Sequence, residues 1–152
     1  MKKFLVFSIL FVHYLFADIS IIVNKENTLV SISKSELKVV FFLKSGKSVL
    51  RDSKFVKYNG RFANGLVPLP VDIETDNPIY EKFYIAIATA NIEKMNRYWS
   101  RRIFSGRGVP PLRLKNEQEI IEFVKKNKNA IGYINQSNLT DDVKEIFTIS
   151  FP

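Results

Sequence analysis

Four arginines fall within 13 residues, Arg101, Arg102, Arg107 and Arg113, in a stretch that reads YWSRRIFSGRGVPPLR from Tyr98. Arg107 stands between Gly106 and Gly108, two residues without a Cβ, so its donor fork and the neighbouring backbone N–H groups can approach one anion together. The same letters also read as framework. Gly106 suits the left-handed stop of a helix, Gly108 a turn, Pro110 and Pro111 a stiff connector, and an arginine stem can lie over Tyr98 or Trp99. Asn24, closing an apolar run, and Asn77, opening a helical stripe, join Arg107 as candidate ligand-binding residues. Arg101, Arg102 and Arg113, with Tyr58 and Arg61 from a basic aromatic segment, form a candidate partner surface.

Composition narrows the chemistry these residues can serve. Lys2 and Lys3 precede an apolar run of 13 residues, Phe4 to Phe16, followed by Ala17. This pattern reads as a secretory signal peptide over residues 1–17, and it is short of the roughly 20 apolar residues of a stable transmembrane anchor. Residues 18–152 are the expected mature domain, placed in the periplasm. The sole histidine, His13, belongs to the leader, and the chain has no cysteine. Zinc sites of Cys/His type, thiol nucleophiles and Ser-His-Asp hydrolysis each need an imidazole or a thiolate and are excluded from that domain. The acidic residues are spread over loops and a helix face, so the expectation is a protein that is not an enzyme, with neither metal nor cofactor.

The charge is +8, from 23 Lys and Arg against 15 Asp and Glu. Loss of Lys2 and Lys3 leaves 21 against 15, or +6. For an exported basic domain the expected partners are an acidic protein surface, an envelope component or a small anion such as phosphate, and not nucleic acid.

The elements that would position these residues alternate between strand and helix. ISIIVN (Ile19 to Asn24) has the makings of a strand, and SKSE (Ser33 to Glu36) is a capping box opening a helix with Leu37, Val40 and Phe41 inward. Residues 44–65, rich in Lys and aromatics, read as a long basic loop or hairpin. LVPLPV (Leu66 to Val71) reads as a strand whose prolines place it at a sheet edge or bulge, with a loop from Asp72 to Asp76. Asn77 caps the next helix with Pro78 at its first position, and a second helix runs from about Ile92 to Ile103. A third opens at Asn116, and NAIGYI and VKEIFTI supply the last strands, Gly132 being a close-packing position. The fold class expected is α/β, one mixed sheet flanked by helices.

The order of these pieces resembles the second lobe of phosphate-type (type 2) periplasmic solute-binding proteins of ABC importers. IIVN, LKVVFFLKSGK, LVPLPV, IETDNPIYEKF, Trp99, GRG and NAIGYI match the family's motifs in order. The resemblance implies a single periplasmic-binding-protein-like lobe, closest to short exported relatives. Members that hold phosphate use an arginine ahead of a Ser-Gly-Thr triplet at a helix start; here Ile73 takes the arginine position, and Asn77, Pro78 and Ile79 the triplet. Proline brings no N–H, isoleucine no hydroxyl, and Glu74 and Asp76 repel an anion there. Two expectations follow. One is a non-enzymatic interaction or scaffold module that keeps the framework and has lost the cradle. The other is a phosphate- or anion-binding component of an ABC importer, with a second subunit supplying the missing lobe.

Overall fold

The computed structural model describes residues 17–42 and 67–152. Of the expected leader only Ala17 is included, and the basic segment 44–65, with Tyr58 and Arg61, lies outside the described residues. The described chain runs β1 (Ile19–Asn24), α1 (Lys34–Phe42), β2 (Leu69–Ile73), α2 (Pro78–Ala88), α3 (Ile92–Phe104), β3 (Leu112–Leu114), α4 (Glu117–Lys126), β4 (Ala130–Asn135) and β5 (Val143–Ile149). A single turn of 3-10 helix, Gln136–Asn138, follows β4.

The five strands form one mixed sheet in the order β3-β2-β4-β1-β5. β2 runs parallel to both β3 and β4, whereas β1 is antiparallel to β4 and β5. β1 is buried along its whole length, as a continuous apolar run in the middle of a sheet should be. The expectation that the prolines of LVPLPV mark a sheet edge or a bulge is not met over Leu69–Ile73, whose pairings show no register shift. β2 begins at Leu69, extends to Ile73 and sits between two neighbours. Its proline is tolerated because pairing with β3 starts only at Val71, one residue past Pro70.

Local signals hold the helices where the sequence places them. The Ser33 hydroxyl and backbone N–H both donate to the Glu36 carboxylate, and the Glu36 N–H returns to Ser33 Oγ, closing the capping box ahead of α1. Asn77, Asn91 and Asn116 cap α2, α3 and α4 through their side-chain carbonyls. Leu37, Val40 and Phe41 from α1, Ile79, Phe83 and Ile87 from α2, Met95 and Trp99 from α3, and Ile120, Ile121 and Val124 from α4 are buried in one core against the sheet. Phe83 stacks on Tyr133 of β4 with ring centroids 3.8 Å apart, fixing α2 over the centre of the sheet.

At Gly132 of β4 the sheet and α4 pack too closely for a side chain. A Cβ there would lie 2.7 Å from Ile120 Cγ2 of α4. The two ends of the domain are clasped together. The Asp18 carbonyl accepts from the Gln136 N–H, and its carboxylate accepts from Ser150 Oγ and the Phe151 N–H.

Candidate functional site

In a sheet with parallel strands, the crevice outside their carboxyl ends is where ligands bind. Here that rim is formed by the ends of β2, β3 and β4 with the starts of α2 and α4. Its deepest polar group is Asp72, which lies inside β2, not in the loop expected from the sequence, and is only 1% exposed. Tyr84 of α2 donates to its carboxylate at 2.6 Å, Tyr133 of β4 donates to the other oxygen, and the Ile73 N–H bonds to it at 3.1 Å. Arg113 is its register partner on β3.

Burial raises the Asp72 carboxyl from 3.8 to about 6, against the lowering effect of its two tyrosine donors, the Ile73 N–H and the Arg113 charge. The same burial, together with the Asp72 charge, holds the Tyr84 and Tyr133 hydroxyls well above their ordinary value. Tyr80, also on α2, is pushed up to about 12 by burial first and Asp72 second. The Arg113 guanidinium lies over the Tyr80 ring, 5.7 Å from its centroid. Tyr80 Oη and Arg113 Nε are buried without a hydrogen-bond partner.

Around this centre the first backbone donors of α2 are engaged, and one of those of α4 is taken by its cap. Asn77 Oδ1 takes the Ile79 N–H, and Pro78 has none to offer. At α4, Asn116 Oδ1 takes the Glu119 N–H while the Glu119 carboxylate reaches back to the Lys115 N–H. Glu117 accepts from the Asn135 N–H, from Asn135 Nδ2 and from Asn138 Nδ2, closing the rim over β4.

The candidate ligand residues do not converge. Asn24 stands at the opposite end of the sheet from Asn77, because β1 runs antiparallel to β4 and β4 runs parallel to β2. Its Nδ2 donates to the carbonyls of Val124 at 3.0 Å and Lys125 at 2.7 Å, and its Oδ1 accepts from the Glu26 N–H, so the side chain ties the end of α4 to β1. We expect Asn24→Ala to destabilise the domain by about 2 kcal/mol in urea unfolding, since it strands a buried carbonyl at a helix end.

Arg107 lies on the turn that feeds the amino end of β3. Gly106 adopts φ 64°, the Gly106 N–H bonds to the Ile103 carbonyl and the Arg107 N–H to the Arg102 carbonyl, which is a Schellman closure of α3. Arg102 completes it by donating to the Arg107 carbonyl at 2.6 Å while lying over the Tyr98 ring, 5.5 Å from its centroid. The framework reading of GRG therefore describes its backbone, and Arg102 works inside the turn. Arg101 is exposed on α3, whereas Arg113 sits at the rim and belongs with Asp72. A shallow cleft of about 370 Å³ along α4, lined by Leu114, Gln118, Glu119, Glu122, Phe123, Lys126 and Asn127, includes none of the candidate ligand residues.

The Asp72 cluster was not foreseen. Its one trace in the sequence is an acid inside an apolar β run, and its hydrogen-bonding partners lie 12 and 61 residues away.

No protein-family profile matches the chain, and no curated protein matches it. Solved structures do. A Clostridium perfringens protein assigned as a phosphate ABC transporter substrate-binding protein, with phosphate bound, aligns with a TM-score of 0.61 at 19% identity, over 86% of this chain and 45% of that one. An ABC-type phosphate transport receptor from Vibrio cholerae aligns at 0.60 and 17%, over 86% and 46%. PstS from Borrelia burgdorferi aligns at 0.55 and 12%, over 86% and 47%. The chain spans about half the length of each. At these identities the likeness shows the fold, and the expected resemblance to a single lobe of the phosphate-type binding proteins holds at that level.

Proposed function

We propose that this chain is an exported, non-catalytic binding lobe that acts in the cell envelope as an interaction or scaffold module, with residues 1–17 directing export and 18–152 forming the working domain. The observation that carries this reading is the state of the rim. A helix start receives an anion through free N–H groups and a positive field. At α2 the position is filled by a side-chain cap, a proline and the flanking Glu74 and Asp76, and at α4 the Asn116 cap takes one N–H while Glu117 and Glu119 bring negative charge to the first turn. The domain keeps the architecture of an anion-binding lobe and uses the anion positions to brace itself. Its excess positive charge then serves contact with acidic envelope partners. Among the described residues no helix is long and apolar enough to cross a membrane.

A second reading, capture of phosphate or another anion for an ABC importer, is favoured by two buried polar atoms at the rim, Tyr80 Oη and Arg113 Nε, and by the phosphate proteins that share the fold. Thermal unfolding at low salt, with and without millimolar phosphate, separates the two. We expect phosphate to do no more than chloride of equal ionic strength. A gain specific to phosphate, about 2.7 kcal/mol at a hundred times the dissociation constant, overturns the first reading. Its loss in Arg107→Ala or in Arg113→Ala then says which arginine holds the anion.

A further inference from the structure

α3 ends in an unusual combination. Phe104 is 92% exposed, and Ile103 and Val109 on either side of the Schellman turn are 54% and 65% exposed. Three apolar side chains thus stand in water at the tip of one helix. One stripe of the exposed face of α3, beside the exposed Glu93, Asn96 and Ser100, is cationic. Lys94, Arg97, Arg101 and Phe104 follow each other at spacings of three, four and three, which places them on one stripe of a helix, and all four are exposed. Between Ile92 and Arg113 the chain carries Lys94, Arg97, Arg101, Arg102, Arg107 and Arg113 against a single acid, Glu93. Arg97 meets that acid only at 3.9 Å, with both side chains in solvent.

We propose that this stripe docks α3 onto an anionic phospholipid surface, with the cations level with the phosphates and Phe104, Ile103 and Val109 entering the headgroup layer. Several features favour lipid over an acidic protein. The cations and Phe104 are in line, spanning about 15 Å of helix, so a planar layer of phosphates engages them together. An aromatic that anchors a protein interface is ringed by contacts that exclude water, whereas Phe104 projects from the end of the helix beside a glycine turn. Cations along a helix with exposed aromatic and aliphatic side chains at its end are the chemistry of an interfacial anchor. The inference rests on the reading of the chain as an envelope module and names the class of partner for its basic face.

The test is flotation of the full chain with phosphatidylcholine vesicles, alone and mixed with phosphatidylglycerol. The neutral vesicles report the binding owed to the apolar run at residues 4–16. We expect partitioning at least tenfold stronger on the anionic vesicles, with Arg101→Glu and Phe104→Ser each lowering that gain about tenfold. Lys38→Glu on α1, which changes the net charge as much as Arg101→Glu, should lower it less than about threefold. Equal retention on both vesicles, or an equal loss with Lys38→Glu, overturns the proposal. Binding to soluble polyglutamate that Arg101→Glu abolishes, without a gain on anionic vesicles, overturns it in favour of an acidic protein. None of these outcomes depends on the phosphate titration, so the two readings fail separately.

Discussion

Asp72→Asn should flatten the dependence of stability on pH and leave the domain more stable than the wild type above pH 7. The sign follows from the direction of the shift. The folded carboxyl titrates at about 6 and the ordinary value is 3.8, so the folded state holds the proton more tightly. The contribution of this group is therefore fully present below pH 4 and is lost as pH rises through 6. The loss amounts to about 3 kcal/mol by pH 8, at 1.36 kcal/mol per unit. Asparagine brings no charge to bury, and its Oδ1 still accepts from Tyr133 and the Ile73 N–H, while its Nδ2 faces Tyr84, whose hydroxyl turns to accept from it. Asp72→Ala behaves differently: it leaves both tyrosine hydroxyls without their acceptor and opens a gap, and should cost about 3 to 5 kcal/mol at pH 4, a deficit against the wild type that narrows as pH rises through 6 because the variant has no carboxyl to ionise. Urea unfolding of the three proteins between pH 4 and 8 checks both statements. A wild-type profile as flat as that of Asp72→Asn would show that burial does not govern this carboxyl.

The second large effect is expected at Gly132. Alanine there puts a methyl 2.7 Å from Ile120 Cγ2 and 3.5 Å from Val124 Cγ2, with the Val71 carbonyl 3.8 Å behind. The branched methyl of Ile120 cannot rotate away without moving the helix, so α4 must lift from the sheet. Gly132→Ala should cost about 1 to 3 kcal/mol, and Gly132→Val more. The origin of the cost is tested by pairing the change with Ile120→Leu, which removes the clashing Cγ2 and keeps the volume. The double variant should recover most of the loss, whereas simple addition of the two single effects would place the strain elsewhere.

These two positions also show what a single sequence discloses. Gly132 was legible as a packing position because a glycine inside AIGY has few other uses, and the helix starts were legible because Ser33, Asn77 and Asn116 carry their own local hydrogen-bond partners. Local chemistry leaves local marks. β3 left none, for Leu112, Arg113 and Leu114 are too few to show a period and become a strand only by pairing with β2. The prolines of LVPLPV misled for a related reason, since what matters is where the β3 ladder begins, a fact of tertiary register. Asp72 reads as the start of a loop until Tyr84 and Tyr133 are brought to it from distant parts of the chain. Asn24 and Asn77 look like ligand residues as letters, yet the sheet direction that separates them is absent from their neighbourhoods.

The clasp at Asp18 fixes where anything joined to this domain must begin. Asp18 lies beside the carboxyl end of β4 and holds Ser150 and Phe151 against it. A segment attached ahead of Asp18 and one attached beyond Phe151 would start from the same edge of the fold, the rim that carries Asp72 and the two capped helix starts. A module on a short flexible tether there would face that rim at an effective concentration on the order of millimolar, whatever its intrinsic affinity. Geometry alone thus makes the rim the surface most readily met by a covalently attached neighbour, and leaves the basic tip of α3 to partners that arrive by diffusion.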